Sequence, residues 1–214
     1  MGRRALRGID PALDLTPYYR QLDELPDDWK LGDWFQRDAP IEVEIGSGKG
    51  LFLTNASRQE PEHDFLGIEI SRKSARFTAA RLAKAERLNV GILQRDAQQL
   101  VAAHIPSTSV AAVHVYFPDP WWKKRHRRRR VMNESFMRHL ERILQPNGRL
   151  HFWTDVEEYF QESMALLAQV TNLQGPLEVP VQPATHDLDY RTHFERRMRL
   201  HGEAVFRSEF VRAT

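Results

Sequence analysis

The chain reads as an α/β protein: a three-layer sandwich on a mostly parallel sheet, with an antiparallel hairpin at the C-terminal end. Three observations predict this. From Ile41 to Val170, short apolar runs alternate with helical stretches at the spacing of βαβ units, whose crossovers close right-handedly. A length of 214 residues, 41% hydrophobic, suffices for one sizeable core. After residue 193 the pattern changes. Phe194, Met198 and Leu200 share one parity, and Glu195, Arg197 and Arg199 the other. Gly202 and a second apolar-rich run, 204–211, follow, so the tail is expected to form the hairpin.

The elements follow in order. Residues 1–39 are broken by Pro11, Pro17, Pro26 and Gly32, with Tyr18, Tyr19, Trp29, Trp34 and Phe35 between them. This predicts an irregular extension, with a short helix at most, that packs its aromatics on a main domain spanning 40–214. Ile41–Ile45 (IEVEI) is the first strand, and residues 51–53 open a helix after a glycine loop. Residues 65–70 (FLGIEI) form the second strand. Ser71 then caps a helix reaching Leu88, with Ala75, Ala79, Leu82 and Ala83 on one face. Strands at 90–93 and 110–117, a helix at 136–144, a turn at Pro146-Asn147-Gly148, a strand at 150–153 and a helix at 156–170 complete the series.

Charge is unevenly spread. The chain carries 31 Lys+Arg against 29 Asp+Glu, a net +2. The run 123–130 (KKRHRRRR) alone holds seven Lys/Arg and no acid, so removing those seven charges from +2 leaves the rest at −5. An acidic body with one cationic patch is the form expected of a protein that grips a polyanion. The absence of cysteine excludes disulfides, thiolate zinc sites and a cysteine nucleophile. The nine histidines include no pair at metal-ligand spacing on a common helix face, so no metal is expected and His114 is read as a satisfied core residue. No apolar run approaches the roughly 20 residues of a membrane span, and the N-terminus has no apolar signal core. A soluble cytoplasmic protein without a membrane partner is expected.

Residues 44–50 read EIGSGKG, directly after the first strand. Glycines at 46, 48 and 50 permit a tight turn and close approach of backbone to a ligand. The spacing fits neither the dinucleotide G-x-G-x-x-G nor the G-x-x-x-x-G-K of phosphate loops. Glu69 ends the second strand about 20 residues on, where an acid binds ribose hydroxyls in dinucleotide folds. Loop and acid together resemble the class I S-adenosylmethionine-dependent methyltransferases, with their Rossmann-like sheet. That resemblance implies S-adenosylmethionine as cofactor, held by Glu44, Gly46, Gly48, Gly50, Glu69 and Asp96. Asp96 would meet the adenine amino group, and Glu44 would lie under the loop near the methionine end.

The fourth strand runs into Phe117-Pro118-Asp119-Pro120-Trp121-Trp122 and the basic run. The stretch resembles the FPDPW-x-K-x-R-H-x-x-R-R signature of the tRNA (guanine-N7-)-methyltransferases. Trp153-Thr154-Asp155 and Thr192-His193-Phe194-Glu195 match two further motifs of that family, so the resemblance covers about residues 41–212. It implies transfer of a methyl group to N7 of a guanosine in tRNA. Asp119 would be the catalytic residue, orienting the base and offsetting developing positive charge. Lys123 and Asp155 would also contact substrate. Thr192 and Glu195 would form the far wall, against either the substrate or the methionine end of the cofactor. Lys124, Arg125, Arg127, Arg128, Arg129 and Arg130 would meet tRNA phosphates. Trp121 and Trp122 are candidate stacking surfaces for a looped-out base, with Trp121 the better candidate for packing. The competing readings are a methyltransferase for another structured RNA and a catalytically silent RNA-binding relative. The same motifs suit a monomer or a homodimer.

Overall fold

A computed structural model describes residues 8–26, 28–181, 183–184, 186 and 189–214. Residues 1–7, the start of the expected extension, lie outside them. The strands are β1 (Tyr19–Gln21), β2 (Ile41–Ile45), β3 (Asp64–Glu69), β4 (Val90–Gln94), β5 (Val110–Tyr116), β6 (Leu144–Thr154), β7 (Gln174–Leu177) and β8 (Phe206–Val211). The helices are α1 (Leu51–Gln59), α2 (Arg72–Lys84), α3 (Ala97–Ala103), α4 (Glu134–Ile143), α5 (Glu157–Val170) and α6 (His193–Leu200). The sheet order is β1-β4-β3-β2-β5-β6-β8-β7. All pairings from β1 to β6 are parallel, while β8 runs antiparallel to both β6 and β7.

Strand side chains alternate between the two faces of the sheet, and each face is covered by helices. Leu66, Ile68, Leu93, Val115 and Phe152 join residues of α3, α4 and α5 in one core. Phe65, Ile92, Tyr116 and Trp153 join α1 and α2 in the other. The three-layer sandwich follows from this two-sided burial.

The second face also buries a polar network. The carboxylate of Glu42 meets His114 Nε2 at 2.6 Å and His63 Nδ1 at 2.5 Å, while His114 Nδ1 meets the Tyr116 hydroxyl at 2.9 Å. Burial alone would raise Glu42, but the bonds from His114 and His63 outweigh it and bring its carboxyl down to about 2. His114 itself is pushed down to about 4 by burial, so it donates as a neutral ring. It is a satisfied core histidine.

Several expectations need correction. Segment 193–200 is a helix, so the antiparallel edge is built as β6-β8-β7 and not as a hairpin with residues 194–200 as its first arm. Thr192 caps that helix, its hydroxyl accepting from Glu195 N at 3.0 Å, and Glu195 and Arg199 pair at i,i+4. Helix α2 stops at Lys84, not Leu88; Glu86 takes φ 50° and Leu88 is exposed. Residues 145–148 lie inside β6 as a bulge, since Val110 pairs with Leu144 and Ala112 with Arg149. The expected turn there survives as a kink with Asn147 at φ 64°. The N-terminal segment is more regular than expected: β1 adds to β4, and Leu31–Trp34 forms a 3-10 turn.

Candidate active site

The glycine loop leaves β2 with Gly46, Gly48 and Gly50 at φ 77°, 53° and 66°, a left-handed run that side chains resist. Its neighbours hold it from three sides. Gly46 N donates to Ile68 O at 2.8 Å, the Thr78 hydroxyl donates to Gly48 O at 3.0 Å, and Arg81 donates to Lys49 O at 2.8 Å. A Cβ on Gly50 would lie 2.3 Å from Thr78. Thr78 and Arg81, both on α2, are supports the sequence reading missed.

Glu69 sits at the end of β3, as expected, but both its oxygens already serve the loop. Oε2 accepts from Gly48 N at 2.9 Å and Oε1 from Ser71 N at 2.8 Å. Each oxygen keeps a lone pair for a second donor. Beneath the loop Glu44 is only 4% exposed, and its Oε2 has no hydrogen-bond partner. Burial, with the charge of Glu69 added, pushes its carboxyl up to about 8. Asp96 follows β4 and caps α3, its Oδ1 accepting from Gln98 N at 2.8 Å. Ile70, which the sequence places inside the second strand, is 64% exposed at the strand exit. It stands beside Glu69 as an exposed apolar side chain, and its signal was an apolar residue where the chain should turn polar.

The turn after β5 is strained. Phe117 and Trp121 take φ 50° and 47°, so two bulky residues in the left-handed region bracket Pro118-Asp119-Pro120. Each costs on the order of 1–3 kcal/mol and persists only where surroundings over-determine it. Phe117 N donates to Trp153 O at 2.8 Å, which ties the turn to β6. The Phe117 ring packs on Phe194 at 4.8 Å, and the neighbouring His193 accepts from Arg81 at 2.9 Å. The start of α6 therefore bridges the Asp119 turn and the glycine loop. Asp119 is exposed, and Asp155 is half-buried, its carboxyl raised by burial. Glu195 is buried and fully engaged, accepting from Arg191 N, Arg199 and Arg207. This makes Glu195 a hub that shapes the wall, while Thr192 is committed to its cap.

The basic run forms a 3-10 turn, Lys124–Arg129. Lys123, Lys124, Arg125, Arg128 and Arg129 are exposed. Arg130, expected on a tRNA phosphate, is instead 5% exposed and paired with Glu162 of α5. Arg127, expected there too, is half-buried and bridges Glu158 at 2.7 Å and Glu162 at 3.0 Å. Trp121 packs edge-on against His126 and under Arg129, whereas Trp122 is 68% exposed.

The strand order, the antiparallel β8 slotted between β6 and β7, and the glycine loop at the carboxyl end of β2 define a class I methyltransferase. Solved structures agree in fold. The aminoglycoside resistance methyltransferase NpmB1 superposes with TM-score 0.57 at 16% identity, over 84% of this chain and 90% of that one. The 16S rRNA (adenine(1408)-N(1))-methyltransferase of Catenulisporales acidiphilia gives 0.57 at 18% identity, over 82% and 86%. Residues 38–208 match the family model described as "Putative methyltransferase". A tRNA (guanine-N(7)-)-methyltransferase of Rhodopirellula baltica is 48% identical over 213 residues, 97% of this chain and 79% of the relative. One from Streptococcus pneumoniae is 29% identical over 96% of this chain and 97% of its own length. The chain belongs to the tRNA (guanine-N(7)-)-methyltransferase family.

Proposed function

We propose that the protein transfers the methyl group of S-adenosylmethionine to N7 of a guanosine in tRNA, giving N7-methylguanosine. The observation that carries this reading is the meeting of two features at the carboxyl ends of two neighbouring central strands, β2 and β5. A left-handed glycine loop lies over a buried carboxyl group with one unpartnered oxygen, and the Asp119 turn lies beside it, joined through α6. The residues present fit the cofactor. Glu44 Oε2 lacks a partner that a cationic ligand group would supply, and Glu69, Asp96 and Ile70 line the strand ends where ribose and adenine would lie. When bound, S-adenosylmethionine supplies a methyl group activated by its sulfonium.

The chain's own task is then chiefly one of placement. Guanine N7 carries no proton, so its lone pair forms the new N–CH3 bond, the sulfur keeps the electrons of the old one, and no base is required. Asp119 accepts hydrogen bonds from the Watson–Crick edge of guanine, which fixes the ring and offsets the positive charge left on the purine. Asp155 and Lys123 contact the substrate around it, and the Thr192–Glu195 segment forms the far wall. Lys124, Arg125, Arg128 and Arg129 meet phosphates, and Trp122 offers a stacking face. Residues 1–39 serve as an extension of the domain at 40–214. The protein acts in the cytoplasm, without a resident metal, as a monomer or homodimer.

The test is incubation with S-adenosylmethionine and unmodified tRNA, followed by digestion and mass spectrometry of nucleosides. N7-methylguanosine supports the proposal. A different methylated base points to another RNA methyltransferase, and tRNA binding with no methylation points to a silent relative.

A further inference from the structure

Of the seven cations in the basic run, two are paired with α5, Arg127 and Arg130, and Arg130 is buried. We propose that Arg130 is a positioning residue, which with Glu162 of α5 clamps the carbonyl of Pro120 and so fixes the direction of the Asp119 carboxylate. The inference rests on the assignment of Asp119 to the guanine pocket.

The turn around Asp119 has little backbone bonding of its own, because Pro118 and Pro120 have no N–H to donate. Its upstream end is held by the sheet, through Phe117 N and Trp153 O. Its downstream end is held by Arg130, whose Nε donates to Pro120 O at 2.7 Å. The same guanidinium pairs through Nη1 with Glu162 and lies 4.4 Å from the centre of the Tyr159 ring. Tyr159 is itself fixed, fully buried with its hydroxyl accepting from Met132 N at 3.2 Å. Helix α5 thus presents Glu158, Tyr159 and Glu162, spaced i, i+1 and i+4, as one anchoring face.

The local fold explains why residues 127 and 130 serve this role. Arg130 follows the 3-10 turn as its C-cap and its N–H donates to Arg127 O at 2.9 Å, which keeps the two arginines together facing α5 while Lys124, Arg125, Arg128 and Arg129 are left to solvent. Arg127 bridges Glu158 and Glu162, so Glu162 joins both arginines and braces the clamp. Lysine is a poor replacement, because a point charge cannot reach a carbonyl and a carboxylate while stacking on a ring.

Arg130→Lys and Glu162→Gln test the proposal, the second being a mild change at a half-exposed side chain that keeps the protein folded if the first does not. Four readouts are taken: turnover at saturating tRNA and S-adenosylmethionine, tRNA affinity against salt, melting temperature, and tryptic cleavage within Lys124–Arg129. A misdirected Asp119 is expected to lower kcat by about 10–100-fold in Arg130→Lys, and less in Glu162→Gln. The salt slope of tRNA binding should stay at the wild-type value and tryptic cleavage should quicken. A kcat per folded molecule equal to wild type in both variants overturns the proposal, even with a lower melting temperature. Should wild type form no N7-methylguanosine, the reaction assignment fails. Tryptic cleavage, which needs no substrate, still decides the clamp.

Discussion

Glu44 has the most unusual setting of any carboxylate in the site: buried, one oxygen unpartnered, and pushed up to about 8 chiefly by burial. Between its ordinary value and 8 the native state keeps a proton that the unfolded chain has released, so its contribution to stability falls as pH rises through that window. A cation bound beside it reverses the preference and favours the ionised form. Affinity for S-adenosylmethionine is therefore expected to tighten from pH 6 to 7.5, by up to about tenfold per pH unit. Glu44→Gln should flatten the profile in calorimetric titrations, and a wild-type profile already flat would remove Glu44 from the cation's surroundings. Asp119 sits in a different setting, exposed on the turn after β5. Asp119→Ala is expected to abolish turnover while cofactor binding largely survives. Nucleoside analysis beside a binding titration separates the two, and near-wild-type methylation would exclude the residue.

At the scale of elements, β2 to β5 were legible because each was a short apolar run followed by a motif, whereas β1, β7 and the first half of β6 were not. Ile41–Ile45 matches residue for residue, and the neighbouring strands agree to within about one residue. Helix α3 was not, because seven residues are too few for periodicity to register. Its start was visible only as Asp96, which also looks like a ligand. Helix α6 was misread because three apolar residues fit period two as well as period 3.6. The better signal was Thr192-x-x-Glu195, a helix-start pattern, and it decides the matter in the structure. The basic run shows the harder limit. Which of its cations face solvent depends on Glu158 and Glu162, some 30 residues away, and no local pattern reveals that pairing. The exposed members carry the affinity argument. Arg128→Ala and Arg129→Ala are each expected to weaken tRNA binding and to shrink the slope of log affinity against log salt by about 0.7–0.9. Binding isotherms across a salt series check this, and an unchanged slope in both would place the RNA elsewhere.

At the scale of the molecule, the aromatic N-terminal segment is built into the sheet. Trp34 lies so close to β4 that a Cβ on Gly91 would sit 2.3 Å from its ring, and Tyr18 is buried against α2 and β4. Trp34→Ala is expected to cost about 3–5 kcal/mol, read as a shift in denaturant midpoint. A loss below 1 kcal/mol would mean the segment merely rests on the surface.

The pairing of Arg127 and Arg130 with α5 has a consequence for how the protein meets its partner. Two of the seven cations are neutralised at short range, yet five remain together on an otherwise anionic body. Such a molecule has a large permanent electric dipole, and the field of an approaching polyanion exerts a torque on it before any atoms touch. Encounters are thereby biased toward the face that carries Asp119. That bias acts on the rate of association and fades once the ionic atmosphere shrinks to about 8 Å at physiological salt.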